Sequence, residues 1–359
     1  MTFTADDHRY MAEALRLAEK GRLTTDPNPA VGCLIVNGGE IVGRGWHRAA
    51  GEPHAETLAL QQAGVRARGA TAYVTLEPCS HHGRTPPCAR SLVEAGIASV
   101  VSAMPDPDAR VAGSGHDLLA RAGVTVRTGL MESVARELNR GFVSRHERGR
   151  PWVRVKLAAS MDGFTAGADG RSQWITGKSA RADVQHWRAQ ASCILTGIGT
   201  VLADDPRLNV RLSGFDRQLL RVVVDSEARL PDGLRLTNLP GPVIAATCVE
   251  PPPVEGVTWW RLPPDLTGRV SLPVLMARLA ERQINVVHVE AGPTLSGALV
   301  QSGLVDELLV YQAPCLIGQG RPLLALPGME KFDDRLQLEL VDQRRIGSDW
   351  RFLYHFASR

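Results

Sequence analysis

Two short runs decide how the N-terminal half is read: Pro53-His54-Ala55-Glu56-Thr57-Leu58-Ala59, and Thr75-Leu76-Glu77-Pro78-Cys79-Ser80-His81-His82-Gly83-Arg84-Thr85-Pro86-Pro87-Cys88. Pro53 opens a predicted helix that runs to Ala63 and stops at Gly64. Proline suits a first helical turn, because its missing N–H had no intrahelical partner there. Pro78-Cys79 follows a predicted strand over Thr71–Leu76. Pro86-Pro87-Cys88 opens a second helix, Pro87–Ala95, closed by Gly96. One imidazole and two thiols are therefore expected at two helix N-termini and one strand end. The positive end of a helix favours thiolate over thiol.

One histidine and two cysteines leave the fourth position of a zinc ion open, the pattern of catalytic rather than structural sites. His-x-Glu followed by Pro-Cys and a second Cys is the zinc-deaminase arrangement, in which the glutamate shuttles protons and is not a ligand. We therefore expect His54, Cys79 and Cys88 as ligands of one Zn²⁺ and Glu56 as the catalytic acid/base. Eight residues, Ser80 to Pro87, separate the two cysteines, more than in the generic signature. The competing reading is a closed structural site with His81 or His82 as fourth ligand.

Around this core the first 146 residues alternate helical and strand patterns. Asp6–Glu19 puts Tyr10, Met11, Ala14, Leu15 and Ala18 at helical spacing. Val31–Val36 and Glu40–Gly45 flank Asn37-Gly38-Gly39, a hairpin signal. Ser99–Met104 and Val124–Thr128 read as strands, with a helix around His116–Arg121. Such alternation predicts an α/β fold, a sheet covered by helices. The charged run Arg145–Pro151 predicts a linker, centred on 147–151, between domains over 1–146 and 152–359.

In the second half, strands are expected at Trp152–Ala158, Cys193–Thr196, Arg221–Asp225, Val243–Thr247, Val286–Glu290, Glu307–Ala313 and Trp350–Phe356. Helices are expected near Lys178–Ala189, Leu272–Arg282 and Thr294–Ser302, and a surface loop over the proline-rich Pro251–Pro264. Glu290-Ala291-Gly292-Pro293-Thr294-Leu295 joins a strand to a helix. Its small turn and free N–H groups suit a phosphate, although a plain helix cap is the equal alternative. No Gly-x-Gly-x-x-Gly follows a strand, so this is no ordinary Rossmann fingerprint.

Composition narrows the classes. A chain of 359 residues with 44% hydrophobic and 22% charged residues is globular and long enough for two cores. A net charge of +3, no long run of like charge and 5% aromatics argue against a nucleic-acid surface. Apolar stretches break well before 18 residues, so no membrane-spanning helix is expected. Met1–Tyr10 lacks an apolar stretch, so a signal peptide is not expected and a cytoplasmic location is. There, cysteines serve as metal ligands or core thiols. Cys33, Cys193, Cys248 and Cys315 lie in or beside apolar runs and are expected in the core.

The His54-Ala-Glu and Thr75–Cys88 runs together resemble the bifunctional riboflavin-biosynthesis deaminase/reductase family, where the longer cysteine spacing is usual. Pro27-Asn28-Pro29 and Gly45-Trp46-His47 match it too, and the resemblance extends over nearly the whole chain. It implies a cytidine-deaminase-like αβα domain with zinc, then a dihydrofolate-reductase-like α/β domain using NADPH. The implied first reaction removes the 2-amino group of a diaminopyrimidine ribosyl phosphate. The implied second reduces the ribosyl group of the aminouracil to ribityl.

Carried over residue by residue, Ala158, Trp174, Thr200, Asp204, Ser226 and the turn Gly292, Pro293, Thr294, Leu295, Ser296, Gly297, Ala298 are implied cofactor contacts. Ser172, Arg188, Leu208, Arg211 and Glu290 are implied substrate contacts, with Asn28, His47 and Lys156 as further substrate-binding residues. Arginine forks suit a sugar phosphate. A homo-oligomer acting on a small molecule, with no nucleic acid or membrane partner, is expected. The family's Asp-Pro-Asn-Pro reads Asp106-Pro107-Asp108-Ala109 here, which puts an acid where the family has an amide. Two rivals remain: a nucleic-acid or nucleoside zinc deaminase with a non-catalytic accessory domain, and a zinc-stabilised binding protein.

Overall fold

The computed structural model describes residues 2–80, 87–109, 111–328 and 331–356. The chain divides into two compact units at Gly149/Arg150.

In the first unit the elements run α1 (Ala5–Glu19), β1 (Gly32–Asn37), β2 (Glu40–Trp46), α2 (Ala55–Ala63), β3 (Thr71–Val74), α3 (Cys88–Glu94), β4 (Ser99–Ser102), α4 (Ser114–Arg121), β5 (Thr125–Thr128), α5 (Glu132–Leu138) and α6 (Arg140–Arg148). The strands order β2-β1-β3-β4-β5. β1 runs antiparallel to both neighbours, whereas β3, β4 and β5 are parallel. Gly38 and Gly39 sit at φ 57° and 84°, the left-handed pair that a two-residue hairpin loop requires. Alternation along β1 divides its side chains between two cores. Cys33 and Ile35 join Ala55, Ala59 and Leu92 on one face. Leu34 and Val36 join Tyr10, Met11 and Val143 on the other. The result is the expected αβα sandwich.

Two glycines in β2 bring α2 down onto the sheet. A Cβ on Gly43 would lie 2.1 Å from the Ala59 carbonyl oxygen, and one on Gly45 2.0 Å from that of Ala55. Backbone meets backbone there, so α2, with His54 at its N-cap, has one seat.

The second unit runs β6 (Trp152–Ser160), β7 (Phe164–Gly167), α7 (Lys178–Ala189), β8 (Cys193–Gly197), α8 (Ile198–Asp204), β9 (Leu220–Val224), β10 (Val243–Thr247), β11 (Val257–Arg261), α9 (Leu272–Glu281), β12 (Val286–Val289), α10 (Pro293–Gln301), β13 (Glu307–Ala313), β14 (Gly320–Pro322), β15 (Leu338–Ile346) and β16 (Asp349–Phe356). Its main sheet orders β11-β10-β9-β8-β12-β6-β13-β16-β15. All pairings from β11 to β13 are parallel, and β16 and β15 close the edge antiparallel. Helices α9 and α10 pack Leu275, Met276, Leu279 and Leu299 against Val153, Val155, Val287 and Val289. Helix α7 packs Val184 and Trp187 against Leu309 and Tyr311.

Four expectations need correcting. Arg145–Arg148 is the last turn of α6 rather than linker; Gly149, at φ 64°, ends the helix in the left-handed conformation. The loop over Pro251–Pro264 contains β11, whose parallel pairing with β10 was masked by flanking prolines. Of the four supposed core thiols, Cys33 and Cys193 are buried, but Cys248 is half-buried and Cys315, beyond the end of β13, is exposed. Helices α5, α6 and α8 and strands β7, β14 and β15 were not expected at all.

Gly45→Ala is expected to lower the stability of the first unit by about 1–3 kcal/mol, the usual scale of overpacking. It should also reduce metal retention, because α2 carries His54. Urea unfolding with metal analysis checks both; full metal retention would show that α2 tolerates the shift.

Candidate active sites

His54 caps α2 with extended backbone and makes no side-chain cap bond, so its ring is available to other partners. Its Nδ1 lies 3.3 Å from Cys88 Sγ and 3.7 Å from Cys79 Sγ, and all three donor atoms fall within 4.8 Å of one another. Tetrahedral zinc with Zn–S near 2.3 Å and Zn–N near 2.0–2.1 Å calls for N···S separations of about 3.6 Å. The donor set fits zinc. The Cys88 backbone N–H, at the start of α3, donates to Cys79 Sγ at 3.3 Å. Hydrogen bonding from the Cys88 thiol, then from His54, holds the Cys79 thiol well below the usual thiol range, and Cys88 is pushed up in return. His81 and His82, the alternative fourth ligands, lie outside the described residues.

Glu56 stands in the first turn of α2 and is buried. Burial, then the neighbouring Cys79, pushes its carboxyl up to about 7. Such a group both takes and gives a proton at neutral pH.

His47 is also buried, and its ring lies edge-on to that of His54 at 5.3 Å. Its Nδ1 faces the Pro53 carbonyl oxygen at 3.2 Å, and its Nε2 faces Asn28 Nδ2 at 3.1 Å. Both ring nitrogens are thus engaged with the protein. Asn139, on the turn before α6, holds the Asn28 loop through two bonds to the Ala30 backbone. The Asp108 carboxylate lies 3.6 Å from His146 Nδ1 on α6.

In the second unit the expected residues gather at the carboxyl ends of neighbouring parallel strands: Ala158 on β6, Thr200 after β8, Ser226 after β9 and Glu290 to Gly292 after β12. This is where open α/β sheets place ligands. Gly292 caps α10 without a side-chain bond, and Gly292 and Thr294 are exposed. Ser296 and Gly297 instead face inward. Ser296 donates to the Ala291 carbonyl oxygen, and a Cβ on Gly297 would lie 2.2 Å from the Ala325 oxygen. Trp174 is exposed under the Arg181 guanidinium at 4.3 Å, and the adjacent Gln173 donates to Asp204. Ser226 Oγ accepts from the Val270 N–H.

Arg188 forks onto Glu290 at 2.5 and 2.9 Å and donates to the Asn209 carbonyl oxygen at 2.7 Å. Lys156 and Arg211 interact electrostatically with both Arg188 and Glu290. Burial holds Lys156 below the usual lysine range. Leu208 is buried, its side chain in a core with Ile194 and Leu219. Ser172, half-exposed, precedes Gln173.

Two buried polar residues escaped the sequence reading. His288 Nε2 lies 3.3 Å from Glu290 Oε1, and the signal was its place two residues earlier on the same strand face. Glu77 carries four backbone hydrogen bonds, and the signal was a carboxylate between Leu76 and Pro78 in an apolar run.

Comparison with known proteins agrees with both halves. The model of the RibD C-terminal domain matches residues 151–352. That of the cytidine and deoxycytidylate deaminase zinc-binding region matches residues 4–104. The chain is 52% identical to riboflavin biosynthesis protein RibD of Escherichia coli, covering 96% of this chain and 97% of that one. It is 45% identical to the Haemophilus influenzae RibD, covering 99% and 98%. Among solved structures, RibD of Acinetobacter baumannii superposes with a TM-score of 0.91 at 43% identity over 98% of this chain and 99% of that one. Likeness of this extent spans both units in one order and leaves no separate accessory half. The chain belongs to the RibD family of riboflavin biosynthesis, which joins a zinc-binding deaminase to a reductase.

Proposed function

We propose that the chain performs two consecutive steps of riboflavin biosynthesis. Residues 1–146 deaminate 2,5-diamino-6-(5-phosphoribosylamino)pyrimidin-4(3H)-one, and residues 152–359 reduce the ribosyl group of 5-amino-6-(5-phosphoribosylamino)uracil to ribityl. A solved Thermotoga maritima structure of 31% identity and TM-score 0.87, covering 98% of this chain and 99% of that one, bears the name of that same deaminase/reductase pair. The observation that carries the first activity is the convergence of His54, Cys79 and Cys88 beside the buried Glu56.

His54, Cys79 and Cys88 would hold zinc. When bound, zinc supplies a Lewis acid that makes a nucleophile from water at neutral pH. Glu56 takes one proton from the attacking water at its carboxylate and delivers it to the ring nitrogen, then takes the remaining hydroxyl proton and delivers it to the departing amine, which leaves as ammonia. His47, with both nitrogens engaged, keeps the His54 end of α2 in register with the Asn28 loop.

In the second half NADPH, when bound, supplies hydride to C1′ of the ribose. The uncapped α10 N-terminus at Gly292 offers N–H groups to a cofactor phosphate. Ala158, Thr200 and Ser226 at the strand ends, with Trp174 and Asp204 at the Gln173–Asp204 hydrogen bond, would contact the rest of the cofactor. Arg188 and Arg211 hold the substrate phosphate. Lys156 Nζ delivers a proton at the opening ring, and Glu290 fixes the arginine and lysine charges.

The same reading makes the protein a cytoplasmic homo-oligomer that binds no nucleic acid. Among the described residues no helix is long and apolar enough to cross a membrane. Exposed Leu338 and Leu340 on the edge strand β15, and Trp350 on its neighbour β16, favour self-association.

Glu56→Gln is expected to keep zinc and lose deamination by at least ~10²-fold; zinc content and ammonia release measure this, and a variant without zinc would make Glu56 a ligand. One zinc per chain is expected. Its removal by chelation should stop ammonia release while NADPH-dependent reduction of supplied aminouracil substrate continues. Cys88→Ser should reproduce that pattern and Asp204→Ala the reverse, with circular dichroism confirming folding; folded Cys88→Ser protein without reductase activity would refute the division of labour.

A further inference from the structure

Glu77 lies two residues before Cys79, and none of the chemistry above employs it. It is 4% exposed. Its Oε2 accepts backbone N–H bonds from Asp106 at 3.1 Å and Gly113 at 3.0 Å. Its Oε1 accepts from Gly115 at 2.8 Å and His116 at 3.3 Å. Gly115 and His116 belong to the first turn of α4, where the helix end favours a negative charge. The Glu77 N–H in turn donates to the Met104 carbonyl oxygen. A buried carboxylate is costly unless its lone pairs are satisfied, and here four donors from one segment satisfy them.

The residues on either side of Cys79 touch the same segment. A Cβ on Gly115 would lie 1.9 Å from the Pro78 carbonyl oxygen, so α4 is seated directly on the Pro78 backbone. Ser80 Oγ lies 2.6 Å from Ser114 Oγ. Cys79 is therefore held from both flanks by Asp106 and the Gly113–His116 stretch, and Glu77 is the anchor with the most bonds.

We propose that Glu77 is a positioning residue of the deaminase site: by tying Asp106 and the Gly113–His116 stretch to the Cys79 turn, it sets where the Cys79 sulfur stands relative to His54 and Cys88. The proposal rests on the zinc reading above. Outer groups that orient metal ligands typically matter ~10–100-fold in metal affinity or activity.

The test uses the full chain with cobalt(II) in place of zinc. Glu77→Gln keeps the shape but turns an NH₂ toward N–H donors. Its thiolate-to-cobalt and d–d absorption bands should shift, and its affinity against a competing chelator should fall ~10-fold or more. Deamination should lose mainly kcat, whereas reduction of 5-amino-6-(5-phosphoribosylamino)uracil by NADPH stays unchanged. Ser114→Ala, a milder cut of the same contact, should shift the bands in the same direction by less, and it stands in if Glu77→Gln does not fold. Bands and chelator affinity that match the parent in a folded variant would overturn the proposal, even if its melting temperature falls, since Glu77 would then only support the fold. A parent protein with no thiolate-to-cobalt band would overturn the zinc reading as well.

Discussion

The first unit depends on how closely α2 approaches β2. Metal ligation demands that three donor atoms from separate segments meet within a few ångströms. Cys79 follows β3 at the middle of the sheet, and Cys88 opens α3, so both are placed by the sheet and its crossover. His54 comes from a helix that reaches the site only if its backbone rests on the sheet. Gly43 and Gly45 remove the side chains that would keep it away. The seat has a further consequence: it buries Glu56 on the first turn of the same helix. One packing contact thus places a ligand and strips water from the carboxylate beside it.

The second unit solves a different problem with the same elements. Its parallel strands end together, and each end feeds a turn or a helix N-terminus, so backbone N–H groups gather at one edge of the sheet beside the arginines. The cations are balanced internally. Arg188 is forked onto Glu290, and Arg154 is bonded to Glu307 in the interior. Breaking such a buried pair from one side leaves an uncompensated charge, a far larger loss than the pair itself contributes. The charges at this site are therefore fixed before a ligand arrives.

What was legible in the sequence follows from the range of the interactions. Helix α7 and strands β10 and β13 have the bounds that the sequence pattern predicts: α7 carries its apolar residues into one core, and β10 and β13 are apolar runs buried on both faces of the sheet. The candidate metal-ligand cluster His54, Cys79 and Cys88 was legible because prolines mark the turns that carry these residues. Strand β15 was not: nearly all its residues are exposed, so no alternation records which face is which. Helix α6 hid because its charged residues resemble a linker until Gly149 closes it. His288 and Glu77 were hard to read for another reason. The spacing of His288 from Glu290 is visible in the chain but means nothing until both are buried, and the partners of Glu77 are backbone groups brought to it by tertiary packing.

The two sites show how burial can drive two carboxyls apart. Glu56 and Glu290 are both withdrawn from water, and burial works to raise each. Beside Glu56 the next-largest influence is the Cys79 sulfur, which also disfavours a second negative charge, so the group settles near 7. Beside Glu290 the Arg188 fork outweighs burial and holds the carboxyl well below the usual range. A carboxyl near neutrality exchanges protons with a substrate; one held far below it cannot, and serves as a fixed charge. The neighbour, rather than the depth of burial, thus decides which glutamate sits near neutrality and which stays a fixed charge. That division matches hydrolytic deamination in one half, where a proton must pass from water to the leaving amine, and hydride transfer in the other, where the cofactor brings the electrons and the protein must hold a charged substrate still.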